Sequence, residues 1–240
     1  MAEGVESCWN SAVFKNCFSL NEEYMPNITY LGEEAFYNCS MINTLSFKDN
    51  LKTAEIQCLS GTGITEADFP NLTYINRAFE STPVKTASLP KLKDLNGAFR
   101  GCTLLESVYI PNVYKIGEYA FGGCVSLPQD MDFSKITEVG SNGFAEAPFE
   151  IIDLPNCTKL WGCAFKDAFS KTINLPMCKT LGGGDFTGEY IETVNIENAE
   201  SIESTIDAEF INAFSLKNIY APKLKQVPAF DFDDVGLQQI

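Results

Sequence analysis

Apolar residues recur along this chain at an interval of 20 to 25 residues. One apolar position is held in turn by Leu31, Ala54, Ile75, Leu95, Ile116, Val139, Leu160, Leu181, Ile202 and Val227. A unit this short cannot bury its own apolar face, so successive units must stack and share a core. The pattern therefore predicts a repeat solenoid.

Phenylalanine marks a second position of the unit. Its copies are Phe14, Phe36, Phe79, Phe99, Phe121, Phe144, Phe165, Phe186 and Phe210, with Leu59 in the one unit that departs. A ring that recurs once per unit beside small residues fits a core in which each ring packs on the ring of the next turn. The weaker interpretation is an exposed aromatic stripe that binds a ligand.

Between these positions runs a short alternating segment with the period of a β-strand. Its nine copies are Leu45–Phe47, Ala67–Phe69, Ala87–Leu89, Val108–Ile110, Met131–Phe133, Ile152–Leu154, Ile173–Leu175, Val194–Ile196 and Ile219–Ala221. In most units a proline follows, which ends a strand because it has no N–H to donate. The segments predict nine parallel strands in one sheet.

The side of each unit opposite its strand is predicted to form a turn. The residues around the Ala-Phe pair predict a single helical or 3₁₀ turn. Glycines ahead of that pair, such as Gly140 and Gly182, predict a left-handed backbone.

The units run through nearly the whole chain, which predicts a single repeat domain over residues 1–240. Its expected parts are a capping turn at 1–25, about nine repeats over 26–222 and a truncated repeat or cap at 223–240. An open solenoid end exposes strand edges that must be covered. We therefore expect a capped monomer or a component of a larger assembly.

Charge and hydropathy argue against two classes of partner. The net charge is -15, from 32 acidic and 17 basic residues, whereas binding of nucleic-acid phosphates needs clustered Lys and Arg. No apolar run reaches the roughly 18 residues of a membrane helix, and the start of the chain lacks a signal-peptide pattern. The sequence predicts no nucleic-acid partner and no membrane insertion.

The absence of histidine from the sequence argues against an enzyme, because it removes Ser-His and Cys-His dyads and the commonest metal ligand. Asp132 and Asp153, as outward residues of adjacent strands, would lie roughly 5 Å apart, as in a retaining glycosidase. A solenoid surface gives them no pocket to raise the pKa of one carboxyl. We predict no catalytic residues, no metal site and no cofactor.

Most of the nine cysteines fall at core positions of the unit. Six are predicted to be buried thiols, namely Cys17, Cys39, Cys102, Cys124, Cys157 and Cys178. Cys8 and Cys163 are predicted to face outward. Stacked neighbours such as Cys102 and Cys124 would lie within disulfide range, so oxidation is permitted without being required.

The outward residue in the middle of each strand is the candidate binding surface. A column of Asp, Asn and Tyr offers hydrogen bonds and aromatic rings to a protein or a glycan. The candidate ligand-binding residues are Tyr109, Asp132, Asp153, Asn174, Asn195 and Tyr220. The alternative is that this column is only a solvated sheet face.

A second candidate surface is acidic. Residues 180–216 contain eight acidic residues and no lysine or arginine. Such a band is expected to meet a basic partner, to hold calcium loosely or only to keep the protein soluble.

Ile110-Pro111, Ala120-Phe121 and Cys124, in register with the other copies, form a pattern that resembles the BspA-like leucine-rich repeat family over residues 12–230. The resemblance implies a right-handed leucine-rich-repeat superhelix with one parallel sheet face. Members are surface adhesins of bacteria and parasites, and related repeats occur in phage tail-associated proteins. It therefore implies an extracellular, cell-surface or virion location, and it transfers no catalytic residues.

The function expected from the residues and the resemblance is non-enzymatic adhesion. The scaffold would bind a protein or a glycan on a surface through its exposed sheet face. The alternative is a structural or host-recognition component of a larger assembly such as a phage tail.

Overall fold

The structure is a computed structural model that describes residues 7–8, 11–202, 210 and 212–225. In those residues the chain forms sixteen short strands joined by turns, with no helix. It divides into two compact units, Met1–Val113 with Gly123–Ser126 and Tyr114–Gly122 with Leu127–Ile240. In both units the strands pair in parallel with the equivalent strand one turn later. The predicted repeat solenoid is confirmed.

The first unit contains two sheets where the sequence predicted one sheet face. The predicted strands form β4 (Glu66–Asp68), β6 (Thr86–Ser88) and β7 (Ser107–Tyr109), in that order. A sheet of two-residue strands contains β1 (Ser7–Cys8), β2 (Tyr30–Leu31), β3 (Thr53–Ala54) and β5 (Tyr74–Ile75). The strands of this additional sheet carry the first repeating apolar position.

The second unit repeats this arrangement. The predicted strands form β10 (Ile151–Asp153), β12 (Thr172–Asn174), β14 (Thr193–Asn195) and β16 (Asn218–Tyr220). The additional sheet contains β8 (Lys115–Ile116), β9 (Glu138–Val139), β11 (Lys159–Leu160), β13 (Thr180–Leu181) and β15 (Ser201–Ile202). Because neighbouring strands lie about 4.8 Å apart, equivalent residues form rows that run from turn to turn.

The turns at the phenylalanine position are not helical. Glu34 and Asn38, two residues before and after Phe36, have φ of 54° and 59°. The N–H groups of Glu34, Phe36 and Asn38 donate to carbonyls of the next turn at 2.8, 2.8 and 2.9 Å. A helical turn would use these N–H groups within itself. The neighbouring turn takes them instead, so the predicted helical or 3₁₀ turns do not form.

Gly140 and Gly182 are required for close approach of the backbone. Neither has a positive φ, contrary to the sequence prediction. A Cβ at Gly140 would lie 2.8 Å from the backbone nitrogen of Glu118, and one at Gly182 would lie 2.6 Å from that of Gly162. A side chain at either position would push successive turns apart.

The predicted strand at Leu45–Phe47 does not form. The Glu23 carboxylate of the preceding turn accepts hydrogen bonds from the Ser46 N–H and, at 2.7 Å, from the Ser46 hydroxyl. The Glu23 side chain thus accepts the hydrogen bond that the Ser46 N–H would donate to a neighbouring strand. Residues 46–47 lie in a turn, and β4 becomes the edge of its sheet.

The predicted strand at Met131–Phe133 is also absent. Asp132 accepts a hydrogen bond from the Ser134 N–H at 2.8 Å, which favours a local turn over a sheet ladder. The Gln129 amide bonds the Pro148 carbonyl and the Glu150 N–H, both at 2.7 Å. The nine predicted strands are therefore seven, divided between two sheets.

The phenylalanine column lies in the core of both units, as predicted, except that its first member, Phe14, is half-buried. Its members from Phe36 to Phe210 are at most 1% exposed. In the second unit, the Phe165 ring stacks on the rings of Phe144 and Phe186, with centroids 5.8 and 5.9 Å apart and interplanar angles of 11° and 9°. Because these rings are buried, the column is not a ligand-binding stripe.

Cysteine thiols link one turn to the next. The Sγ atoms of Cys39, Cys102 and Cys124 donate to the carbonyls of Phe14, Phe79 and Phe99 at 2.9, 2.9 and 3.0 Å. An aliphatic residue could fill the same space but could not donate this bond, which adds to the backbone hydrogen bond that each carbonyl accepts within its own turn. Burial raises the pKa of the Cys102 thiol to about 11 and that of Cys157 to about 12.

The cysteine predictions hold with two changes. Cys39, Cys102, Cys124, Cys157 and Cys178 are buried, but Cys17 is exposed. Cys17 lies in the first turn of the continuously described segment, where no preceding described turn covers it. Cys163 is half-buried, and the side chain of Cys8 lies outside the described residues.

Replacing a stacked ring should destabilise the protein far more than replacing an exposed one. Phe165→Ala leaves a cavity between two rings and should lower the free energy of unfolding by about 3 to 5 kcal/mol. Phe169→Ala, four residues further along the same turn and 44% exposed, is the matched control and should cost less than about 1 kcal/mol. Urea denaturation measures both. Similar losses would show that the rings do not form the core.

The buried thiols should resist alkylation while Cys17 reacts. Only the thiolate is nucleophilic, and burial both shields Cys102 and Cys157 and raises their pKa. Iodoacetamide at pH 8, read by peptide mass spectrometry, should label Cys17 in the native protein and the two buried thiols only after unfolding. Native labelling of Cys102 at the rate of Cys17 would contradict this assignment.

Candidate functional site

Four of the six predicted binding residues form one row on the sheet of the second unit. Asp153, Asn174, Asn195 and Tyr220 are in register on β10, β12, β14 and β16. The middle residues of these three-residue strands, such as Ile173 and Val194, are fully buried. Alternation along each strand thus separates the row from the core. We call these four residues the sheet-face row.

The centre of the sheet-face row is an amide pair. Asn195 Nδ2 donates to Asn174 Oδ1 at 2.6 Å. Each asparagine amide has two donors and an oxygen with two lone pairs, so this bond leaves further donors and acceptors in the row. The ends of the row, Asp153 and Tyr220, are exposed. The row can therefore exchange hydrogen bonds with a ligand and offer it an aromatic ring.

The other two predicted residues lie elsewhere. Tyr109 is exposed in β7 of the first unit, where it is in register with Ser88. Asp132 belongs to no strand, and hydrogen bonds from Ser134 hold the pKa of its carboxyl below the ordinary value. Asp132 and Asp153 are therefore not outward neighbours on adjacent strands, and the glycosidase-like pair considered from the sequence is wrong.

A row of alternating charge lies at the start of the same strands, and the sequence analysis missed it. Lys171 Nζ bonds Glu150 Oε1 at 2.8 Å, and Lys217 Nζ bonds Glu192 Oε2 at 2.7 Å. The pKa of Lys171 is raised by its hydrogen bond with Glu150, and that of Glu192 is lowered by its hydrogen bond with Lys217. Their positions, each just ahead of a predicted strand, could have revealed this charged row.

The acidic band is less acidic on the surface than its sequence implies. Glu192 is paired with Lys217, and Glu200 with Lys225 at 3.1 Å, because both lysines arrive from the next turn. Asp185 is fully buried. Glu203, Asp207 and Glu209 lie outside the described residues. Among the described residues, the exposed acids of the band also include Glu189 and Glu197.

Asp185 takes the position that Ala164 holds one turn earlier. Its carboxylate accepts hydrogen bonds from the N–H groups of Ala164, at 3.0 Å, and Gly182, at 2.7 Å. Burial raises the pKa of this carboxyl to about 7, although the two hydrogen bonds act in the opposite direction. The prediction that Asp185 belongs to a surface band is wrong, because it connects two turns from inside.

A cavity of about 230 Å³ opens in the first unit beside the edge strand β4. Leu45, Ile64 and Phe69 form its apolar part, while Lys48 and Glu66 are among its polar residues. It lies where the predicted strand at Leu45–Phe47 fails to pair with β4. The cavity contains none of the six predicted binding residues.

Two general features of the described residues bear on function. They contain no group of three or more Cys, Asp or Glu side chains placed to hold a metal ion. Within the same residues, no helix is long and apolar enough to cross a membrane.

Comparison with known proteins identifies the repeat. A family model described as a BspA type leucine-rich repeat region matches the chain in six copies, over residues 8–124 and 95–217. No curated protein matches the sequence at a significant level. A leucine-rich repeat protein from Bacteroides ovatus has a similar structure, with a TM-score of 0.73 and 22% identity over 95% of this chain and 68% of its own. That likeness shows the fold.

Two further solved structures are more distant. A leucine-rich cell surface protein from Faecalibacterium prausnitzii has a TM-score of 0.45 and 16% identity, over 89% of this chain and 76% of its own. The pneumococcal vaccine antigen PcpA has a TM-score of 0.49 and 12% identity, over 89% of this chain and 64% of its own. At these TM-scores neither structure adds to the argument.

Asp185→Ala should remove part of the pH dependence of stability. The pKa of this carboxyl is raised from 3.8 to about 7 in the folded protein, so the folded state holds the proton more tightly than the unfolded state. The contribution of the Asp185 carboxyl to the free energy of unfolding is fully present below about pH 4, and it is lost as pH rises through about 7.

Urea denaturation at pH 5 and pH 8 checks this prediction. The decrease in unfolding free energy between the two pH values should be smaller in Asp185→Ala than in the parent. Glu189→Ala, an exposed carboxylate four residues away, is the matched control and should keep the decrease of the parent. An unchanged decrease in Asp185→Ala would refute the assignment.

Proposed function

The chain belongs to the BspA-type leucine-rich repeat family, and from that premise we infer that it is a non-enzymatic recognition scaffold that binds a protein or a glycan on a surface. The binding surface in this proposal is the exposed face of the sheet formed by β10, β12, β14 and β16. The observation that carries the proposal is the sheet-face row, in which Asp153, Asn174, Asn195 and Tyr220 stand in register. Repeat solenoids commonly bind partners along such extended surfaces.

The chemistry of the row supports recognition of a polar partner. Its amides, carboxylate and phenol provide hydrogen-bond donors and acceptors together, and the Tyr220 ring adds apolar area. The charged row beside it is internally paired through Lys171–Glu150 and Lys217–Glu192. The face therefore depends on hydrogen bonding and ring contact more than on net charge.

The arrangement supports binding rather than catalysis. The sequence has no histidine. Asp185, whose carboxyl has a pKa raised to about 7, is fully buried and cannot reach a substrate on the surface. Tyr109 and Asp132 remain proposed contact residues, although neither lies on the sheet formed by β10, β12, β14 and β16.

Asp153→Ala, Asn174→Ala and Tyr220→Ala together should abolish partner binding and leave the fold intact. All three side chains point away from the core, so each change should alter the free energy of unfolding by about 0.5 kcal/mol or less. We expect at least a tenfold loss of affinity for partners identified with the parent protein on a glycan array and a panel of extracellular-matrix proteins. Thermal denaturation checks the fold.

Glu138→Ala, Thr180→Ala and Ser201→Ala form the matched control. These residues begin strands of the other sheet in the same unit, and they are half-buried or exposed. This control should bind as the parent does. If the sheet-face variant also retains parental affinity, the recognition surface lies elsewhere.

A further inference from the structure

The edge strand β4 lies beside the cavity of the first unit. Leu45, Ile64 and Phe69 form the apolar part of this cavity and are at most 8% exposed, whereas Glu66 and Asp68, which also line it, are exposed. Its volume of about 230 Å³ is below the roughly 300 Å³ of a small-molecule site. The cavity therefore has room for one or two side chains rather than for a whole cofactor.

The backbone of β4 presents hydrogen-bonding groups on the cavity side. Glu66 and Asp68 are in register with Thr86 and Ser88 of β6, and the Thr86 N–H donates to the Thr65 carbonyl of the preceding turn at 3.4 Å. By the same register, the N–H groups of Glu66 and Asp68 point toward their own preceding turn, where the cavity lies. Within the described residues, neither N–H has an acceptor. An unpaired strand edge of this kind is a template for a strand from another chain.

The open edge is short. Successive turns are joined again on both sides of it, where the Gly63 N–H donates to the Ile42 carbonyl at 2.8 Å and the Thr73 N–H donates to the Lys52 carbonyl at 2.9 Å. Between these contacts lies β4, which is three residues long. An incoming segment can therefore pair over about three residues, and both its ends must turn out to solvent.

Charge selects the outward side chains of such a segment. The Glu66 and Asp68 carboxylates point outward, with the buried Ala67 between them. Among the described residues, neither carboxylate has an ion-pair partner, and Lys48, which lines the same cavity, pairs with neither of them. Opposite charges next to each other on paired strands are favourable, and like charges are unfavourable. The segment therefore carries Lys or Arg beside each carboxylate.

The same charges exclude a second copy of this chain as the incoming segment. Pairing of two β4 edges would bring the carboxylates of Glu66 and Asp68 against those of the other copy, where they would repel one another. The net charge of -15 adds to this repulsion and attracts a basic partner.

The cavity selects the middle side chain of the segment. Side chains alternate along a strand, so the residue between the two basic ones points inward. In that direction it meets the apolar part of the cavity, formed by Leu45, Ile64 and Phe69. An aliphatic side chain would bury its surface there, whereas a polar one would lose its hydrogen bonds with water.

We propose that β4 and the cavity beside it bind an extended segment of a partner protein in which an apolar residue lies between two basic residues. The segment adds a short strand to the edge, pairs its basic side chains with Glu66 and Asp68, and inserts its middle side chain into the cavity. Main-chain pairing of this kind provides affinity, and alternate side chains provide specificity. This site lies in the first unit and goes beyond the recognition proposed for the sheet-face row.

The test is titration of the full chain with a dye-labelled peptide, Gly-Ser-Lys-Val-Lys-Ser-Gly, measured by fluorescence anisotropy. Glu66→Lys with Asp68→Lys should weaken binding of this peptide at least tenfold. The same variant should bind Gly-Ser-Glu-Val-Glu-Ser-Gly more tightly than the parent does, because the charges are exchanged. Thermal denaturation should leave the fold unchanged, since both side chains are exposed.

Glu106→Lys with Asp130→Lys is the matched control. It changes the net charge by the same amount at two exposed carboxylates that do not line the cavity. At physiological salt, charges more than about 8 Å apart are largely screened, so this control should keep the parental affinity. An equal loss in both charge variants would show that the peptide responds only to net charge, which overturns the site.

Hydrogen exchange measured by NMR checks the added strand, and a second peptide checks the cavity. Bound peptide should slow exchange of the Glu66 and Asp68 N–H groups at least tenfold. Binding that leaves both groups unprotected overturns strand addition. Serine in place of the valine should weaken binding at least threefold, and an equal affinity of the two peptides overturns insertion into the cavity.

Two further outcomes overturn the proposal as a whole. One is that the parent does not bind the Lys-Val-Lys peptide up to a concentration of about 1 mM. The other is that the sheet-face variant loses the peptide while the Glu66 and Asp68 variant retains it, which would assign the basic segment to the sheet-face row. Retention by the sheet-face variant with loss in the Glu66 and Asp68 variant supports the proposal.

Discussion

In-register stacking of successive turns is the constraint on which the rest of each unit depends. In the turns around the column phenylalanines, alternate N–H groups donate to the next turn, as those of Glu34, Phe36 and Asn38 do. The apolar side chains of a turn are buried only when the next turn covers them, as the Phe165 ring is covered by its neighbours. No turn is stable alone, and each fixes the position of the following one.

Stacking also converts a repeated residue into a surface. Asn174 and Asn195 are 21 residues apart in the chain, yet their amides are hydrogen-bonded. The same step brings Lys171 onto Glu150 and the Phe169 ring onto Tyr190. Parallel rows of amides and paired charges therefore arise on one unit. Such a surface suits an extended partner.

Side chains that compete for backbone partners interrupt or reinforce this order. Glu23 takes the Ser46 donor and Gln129 bonds the backbone at Pro148 and Glu150, so a sheet stops in both places. The Cys102 thiol has the opposite effect, since it donates a further hydrogen bond to the Phe79 carbonyl of the preceding turn, which also accepts from Thr82. The position of one polar group thus decides whether neighbouring turns continue the ladder or separate beside it.

The sequence by itself determined the solenoid, the phenylalanine core and the register of the sheet-face row, because the spacing of apolar residues dictates which side chains can be buried together. Only the tertiary structure decided that Ser46 and Asp132 leave the sheet, that Lys217 neutralises Glu192 and that Asp185 is buried. Each of these outcomes depends on a partner from another turn or on the depth of packing around one carboxyl. Periodicity along the chain predicts neither the partner nor the depth of packing. It shows which positions repeat, but not which polar groups compete for the same atom.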